Sequence, residues 1–473
     1  MIAKKEKTRS ISSKNIVTTL SFFRGIDQEK NTGQLPSNFA DECKNFAFEN
    51  DKLVSTPGWE IIKMYDDTYI EPLTDIGGGR LFAPKIVYDM FNNSIFLYSH
   101  DKGLEMRSSN LSKEKWERFP YQGIAQSCCY YRYNGLDYAF LSSTHGMYYI
   151  VDGGGFSMVL TQKHIKKILS HNERIFAVVK EPMKPNSLWF SDIFNPLEWD
   201  TSLDGGGYID VDYSYGEIRE IESIGEYLYI FCDFGICRLT CFAGQENFEL
   251  KKVCSLPFQM LENGIGKIKE KIVFATEKNL CIFDGNSYVK LDIQIDKYLE
   301  DSFIKKVLAR DEKIYICTNN QDTTKNVIIV YNLSNNTFHI MSGWQIDDIT
   351  LVEGKRWSGI AGKSWLDERL VKLSDNQENF IVPVERVWKA SNIDLGLYSG
   401  EKIIKEIEYN VTSECELVIE CDKIEHNFKM LPNKNKIKIN VKGKKFSFKI
   451  LSNTPKVEIY PIKIKIGVKS GDN

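Results

Sequence analysis

The stretch Gly216–Val253, GEIREIESIGEYLYIFCDFGICRLTCFAGQENFELKKV, decides the fold class. Ile218, Ile221 and Ile224 lead into Tyr227-Leu228-Tyr229-Ile230-Phe231. A turn at Asp233-Phe234-Gly235 follows, then a second apolar run from Ile236 to Phe242, then Phe248. β-Branched and aromatic runs bounded by Gly, Asp and Asn predict three or four short antiparallel strands joined by tight turns.

The pattern recurs. Anchored on the aromatic after each closing turn, it gives Trp116, Phe156, Trp199, Phe248, Tyr288 and Phe338. That spacing, roughly 40 to 50 residues, is the range of four-stranded propeller blades. Each copy has an apolar run, a turn and a return strand: Tyr138–Leu141 then Gly146–Tyr149, or Lys271–Phe274 then Asn279–Phe283. One such unit cannot bury both faces of its sheet, so neighbours must stack. The expected fold is all-β, a β-propeller of about six to seven blades. The competing arrangement is one large sandwich of irregular meanders.

Around this repeat the chain divides into three. Residues 1–31 are polar and poorly periodic, which predicts a flexible N-terminal arm. Residues 32–380 form the propeller, with 32–75 supplying closing strands: Leu53–Met64 is expected to pair with the last blade near Trp357–Leu373. Residues 381–473 change character. Runs such as Glu416–Cys421, Lys436–Val441 and Phe446–Ile450 alternate with period two, predicting a C-terminal antiparallel β-sandwich with one wet face. Its many lysines read as a solvated face that also discourages edge-to-edge pairing.

Composition sets outer bounds. At 473 residues, two or three domains are expected. Hydrophobic residues make up 42% and charged ones 26%, with 27 Phe and 23 Tyr, the profile of an ordered chain with a sizeable core. A net charge of −3 with interspersed signs argues against a protein that works by neutralising phosphates, while leaving room for a surface past which DNA slides. No run of about 18 apolar residues occurs, so no membrane span is expected, and no apolar segment follows the basic MIAKKEKTRSISSK. The 11 scattered cysteines fit a chain kept reduced and made in a cytoplasm.

The sequence nominates no catalytic, cofactor-binding or metal-ligating residue, and the expectation is a protein that is not an enzyme. The six histidines (His100, His145, His164, His171, His339, His426) form no metal-spaced cluster with cysteine. Cys232, Cys237, Cys241 and Cys254 lack the CxxC spacing of a zinc knuckle and read as core. Three glycine triplets, 77–79, 153–155 and 205–207, the last two after Asp152 and Asp204, read as turns where φ > 0 is needed, since no Gly-Lys-Ser/Thr completes a phosphate loop. Ser202-Leu203-Asp204-Gly205-Gly206 faintly matches the turn that sialidase propellers repeat, but it stands once. Asp192, Asp200, Asp210 and Asp212 are then the carboxylates a glycan-cleaving reading would need. Trp357, Trp365 and Tyr398 are those a glycan-binding reading would need.

Five stretches carry a resemblance: FFRGID (22–27), NFADECKNFAFENDKLVSTPGWE (38–60), NERIFAVVKEPMKPNSLWFSDIFNPLEWD (172–200), YIDVDYSYGEIREIESIGEYLYIFCDFGICRLTC (208–241) and VPVERVWKASNIDLGLYSGEKIIKEIEYNV (382–411). Together they resemble the propeller-bearing tail proteins of tailed bacteriophages, the nozzle or hub proteins and the related packaged-DNA-stabilisation proteins. The likeness marks fold and lineage, and no single residue is carried over as functional. It implies a virion protein of the tail or neck. It also implies a homo-oligomeric ring, often hexameric, that contacts adaptor and other tail proteins and touches genomic DNA weakly as it leaves. The alternative from another class is a host-surface glycan-binding or glycan-cleaving propeller of the virion.

Overall fold

The computed structural model describes residues 14–20, 26, 40–61, 94–99, 105–110, 115–120, 125–151, 156–181, 184–201, 205–242, 244–277, 279–291, 299, 302–344, 346–352, 359–364, 370–374, 384–393, 395 and 401–468. Their regular structure is almost entirely β-strand. The chain separates into two compact units, one of Trp59–Ile328 with Gln345–Ser374, the other of Met1–Gly58, Ile329–Trp344 and Asp375–Asn473.

In the first unit, antiparallel meanders succeed one another along the chain. Complete four-stranded sheets are built from 125–161, 164–210, 218–255 and 260–290, each with its strands in sequence order. The strand alternation in Tyr227–Cys232 explains why they stack. Leu228, Ile230 and Cys232 turn into a core shared with Phe176, Val178, Leu188 and Phe190 of the preceding sheet. Tyr229 and Phe231 turn the other way, against Ile272, Phe274 and Phe283 of the next. A sheet buried on both faces reads as a continuous apolar run, as YLYIFC does. Phe231, with no exposed surface, meets the rings of Phe274 and Phe283 at 5.8 Å each.

The first strands of successive sheets are neighbours in space: Ala125–Tyr133, His164–His171, Ile218–Ile224, Met260–Ile268, Ser302–Arg310 and Ile346–Val352. Meanders stacked face to face with neighbouring first strands define the β-propeller plan. Three strands within 94–120 precede the series, and the hairpin Ser302–Arg310 with Lys313–Asn320 stands between the 260–290 sheet and the last. The last sheet runs Ile346–Val352, Gly359–Ser364, Leu370–Ser374 and, outermost, Gly58–Ile61 from the other end of the sequence. Lys372 meets Glu60 at 2.6 Å across that final pairing.

The second unit divides the chain differently from the expected boundaries. Lys14–Leu20, placed by the sequence in a flexible arm, is a strand paired antiparallel with Ile462–Val468 from Lys14 opposite Val468 to Leu20 opposite Ile462. Residues up to 58 and 329–344 join 375–473, so this unit draws on more of the chain than the C-terminal residues 381–473 alone. Glu42–Lys44 lies between Thr337–Ser342 and Arg386–Ile393, with Phe446–Ser452, Cys415–Cys421 and Ile424–Met430 following in order. The partners of Glu42–Lys44 lie some three hundred residues on, so no local periodicity records that pairing. A separate sheet has the order Lys14–Leu20, Ile462–Val468, Lys402–Glu408, Lys436–Gly443.

Asn45 ties this unit together. It adopts φ +55°, a conformation that asparagine tolerates better than most residues, and is buried. Its Nδ2 donates to the carbonyls of Ser342 (3.0 Å) and Glu385 (2.9 Å), and its Oδ1 accepts from the Ser342 N–H (3.0 Å) and the Trp344 indole (3.1 Å).

Candidate functional site

The feature of the propeller unit that brings most charged chemistry together is a polar belt along the neighbouring first strands. Apolar residues there turn toward the sheet stacks, and alternate positions are left for polar side chains. Lys166 meets Glu217 at 3.4 Å and Glu262 at 3.6 Å, and Lys180 meets Glu217 at 3.1 Å. Lys167 meets the buried Glu220 at 2.9 Å. Lys267 reaches Ser223 Oγ at 3.2 Å and Glu222 at 3.8 Å. Each link joins one sheet to another, so the belt stitches blades together. The lysines, chiefly through the Lys180 hydrogen bond, hold the Glu217 carboxyl below its usual range.

Asp233 closes one end. It is buried and accepts from the Glu217 N–H (2.8 Å), from Gln259 Nε2 (3.0 Å) and from Arg219 Nε. Burial opposes its ionisation, but these donors outweigh it and its pKa falls below the ordinary value. Gly216, at φ +81°, sits so close beneath that a Cβ would meet the Asp233 carboxylate at 2.4 Å.

At the opposite end the hairpin turns touch one another. The Asn172 amide donates to the Glu226 carbonyl at 3.0 Å, Glu270 accepts from the Gly225 N–H at 3.1 Å, and Lys269 meets Glu312 at 2.5 Å. Four successive turns share a glutamate: Asn172-Glu173, Gly225-Glu226, Lys269-Glu270 and Asp311-Glu312. Sequence inspection could have found this short repeat, as in NERIF, GEYLY, KEKIV and DEKIY. It was masked by the larger apolar pattern. Belt and turns together link one sheet to the next through ion pairs and hydrogen bonds to backbone groups.

The carboxylates singled out from sequence fall in a loop, at a strand end and in a turn. Asp192 and Asp200 belong to the loop that follows Leu188–Phe190, where Asp192 N–H donates to the Glu198 carbonyl at 2.9 Å. Asp210 accepts from Ser187 Oγ (3.0 Å) at the far end of strand Gly207–Asp210, and Asp212 caps a turn through the Ser214 N–H (2.9 Å). Cys232, Cys237 and Cys241 lie in the core shared with the 164–210 sheet, whereas Cys254 packs into the core on the other side. Burial pushes Cys237, Cys241 and Cys254 each up to about 11. Among the described residues, no group of three His, Cys, Asp or Glu side chains is placed to hold a metal.

His164 and His171 lie on one first strand, His145 in the turn before Gly146, His339 in a buried strand position and His426 on Ile424–Met430. Gly77–Gly79, Gly153–Gly155, His100, Ser202–Asp204, Trp357, Trp365 and Tyr398 lie outside the described residues.

The triplet Gly205–Gly207 is described, and its reading as a positive-φ turn is corrected: none of the three has positive φ. Close approach is the reason for glycine. A Cβ at Gly206 would meet the Trp199 backbone at 2.9 Å, and one at Gly207 the Phe190 ring at 2.5 Å. The loop is clamped by buried Arg174, whose Nη1 donates to the carbonyls of Ser191 (2.6 Å) and Gly205 (3.0 Å) while its guanidinium faces Phe190 and Phe248 at 5.5 Å. Trp199, buried with its indole donating to the Pro196 carbonyl (2.8 Å), lies in this loop, ahead of strand Gly207–Asp210.

The fold is thus of the β-propeller class. No protein-family model matches the chain, and no curated protein matches it. Among solved structures it is similar to BBS1N in a crystal structure with ARL6DN, at 8% identity and a TM-score of 0.43, covering 69% of this chain and 99% of that one. It is likewise similar to YCF48 from Cyanidioschyzon merolae (13%, 0.43, 67% and 98%) and to the Pan2 WD40 domain of Neurospora crassa (12%, 0.42, 68% and 97%). At such identities and scores the propeller assignment rests on this chain's own sheets.

Proposed function

We propose that this chain is a structural subunit of a bacteriophage virion, a nozzle or hub protein of tail or neck that joins the head–tail adaptor and lines part of the channel for DNA ejection. The observation that carries the reading is the meeting at Asn45. The resembling segments 38–60 and 382–411, from opposite ends of the sequence, interlock there through the Glu385 carbonyl and the pairing of Glu42–Lys44 with Arg386–Ile393. What the segments specify is architecture, consistent with a protein whose work is mechanical and not enzymatic.

In this reading the propeller has about six to seven blades and is closed by Gly58–Ile61, and the C-terminal strands form a sandwich. Copies assemble as a ring, six in number by the resemblance, through obligate interfaces of more than about 2,000 Å². A second reading, glycan binding, draws on one observation. Trp189 and Tyr208 stack at 5.5 Å with Lys163 4.0 Å above Trp189, and Tyr208 is 39% exposed. Such a face suits a sugar ring.

The deciding experiment is the mass of the purified protein in solution, followed by negative-stain imaging of the protein alone and of whole particles. A closed ring, or a chain that assembles on its adaptor and is found at a virion neck or tail, is expected. A stable monomer absent from particles overturns the reading and directs attention to glycan arrays and hydrolase assays.

A further inference from the structure

We infer that the lysine face of the sheet Lys14–Leu20, Ile462–Val468, Lys402–Glu408, Lys436–Gly443 is the surface on which this protein meets nucleic acid. The inference rests on the reading of a DNA-conducting virion subunit and names the contact surface within it. From Lys429 to Lys449 the chain holds eight lysines and no aspartate or glutamate, in a protein whose net charge is −3. On strand Lys436–Gly443, Lys436, Lys438 and Lys442 are exposed while Val441 is buried. On strand Ile462–Val468, Lys463 and Lys465 are exposed while Ile462, Ile464 and Ile466 are buried.

Edge protection accounts for only part of this. Lys436–Gly443 is an edge strand, where lysine blunts unwanted pairing. Ile462–Val468 is not: it is paired on both sides, and lysines there protect no edge. Internal ion pairs take up only two of the charges on these two strands. Lys442 meets Glu401 at 2.9 Å and Lys465 approaches Glu406 at 3.9 Å. Lys434, Lys436, Lys438, Lys444, Lys445 and Lys463 make no ion pair among the described residues. Glu408 lies opposite both Lys436 and Lys463, and Glu406 opposite both Lys438 and Lys465, so two lysine rows flank a single acidic one.

The spacing suits a phosphate backbone. Alternate residues of a strand stand roughly 6.7 Å apart, and one strand of duplex DNA presents a phosphate about every 3.4 Å. Measured along the duplex axis, neighbouring lysines of a row are thus about two phosphates apart. The propeller belt offers no such surface, because its lysines are spent on Glu217, Glu220, Glu222 and Glu262.

The test compares the full chain with the variant Lys436→Gln/Lys438→Gln/Lys463→Gln/Lys465→Gln for binding to a labelled 30-base-pair duplex over a salt series. Wild type should bind at low salt. The variant should keep its melting temperature, bind at least ten-fold more weakly, and show a log–log salt slope smaller by roughly 3 to 4. A control lacking Lys251, Lys271, Lys290 and Lys325 of the propeller unit should bind as wild type. No binding at low salt, equal loss in the control, an unchanged slope, or equally tight binding to polyglutamate would each overturn the inference. Incorporation of the variant into particles judges the ring reading separately, since a ring can form without this contact.

Discussion

Phe231 shows at the residue scale what this fold asks of an aromatic. Its side chain is enclosed between two sheets and touches two further rings, so Phe231→Ala removes apolar contact and leaves a cavity, at a cost of about 3–5 kcal/mol. The expected outcome is loss of folded protein in a thermal melt. Loss of particle incorporation with an unchanged melting curve would contradict a purely structural role.

His164 and His171 add a pH dependence. Burial lowers both, helped at His164 by Lys166 and Lys180 and at His171 by Lys267, and opposed at His171 by the hydrogen bond to Glu226. Their folded pKa values therefore lie below the unfolded value of about 6.5. Between the two, the unfolded chain binds more protons, so stability rises with pH there and is lost as pH falls. Melting temperature should drop from pH 7 to 5, and less steeply in a His164→Gln/His171→Gln variant. A flat profile in wild type would show that neither histidine resists protonation.

At the scale of elements, the last propeller sheet depends on Gly58–Ile61, and the other unit depends on Glu42–Lys44 with Asn45. A chain beginning at residue 70 lacks both, so it should be expressed as an aggregated or protease-sensitive product. A fully folded, cooperatively melting truncation would show that the last sheet does without its outermost strand. A finer cut is Asn45→Ala. It leaves the Ser342 N–H, the buried Trp344 indole and the carbonyls of Ser342 and Glu385 without this partner, at about 1–3 kcal/mol for each buried group left unsatisfied. The melting temperature should fall well beyond that of an ordinary surface substitution.

At the scale of the whole molecule, the propeller unit is a series of sheets each held by its neighbours, and its polar links run from one sheet to the next. Such a body carries load by distributing it, which suits a ring subunit past which a genome moves. The expected solution behaviour is assembly that depends on protein concentration or on the adaptor. A sedimentation profile unchanged over a hundred-fold dilution and unchanged by adaptor, with the mass of one chain, would remove that expectation.

What the sequence by itself determined is local. Strand periodicity, two-residue turns and the 40-to-50-residue repeat are written in neighbouring residues, because alternation and turn conformation are imposed by nearest-neighbour sterics. YLYIFC could be read as a strand buried on both faces, and the cysteines as core, from such patterns alone. Only the tertiary structure decided that Lys14–Leu20 is a strand, that Glu42–Lys44 lies between strands some three hundred residues on, and that Gly206 is glycine because the Trp199 backbone crosses above it. These depend on which distant surfaces meet, and the free energy of that meeting leaves no mark on either partner's own sequence. The charge pattern falls between the two. The lysines were legible as a wet face, but that Lys463 and Lys465 stand on a strand with no edge to protect is a property of sheet order.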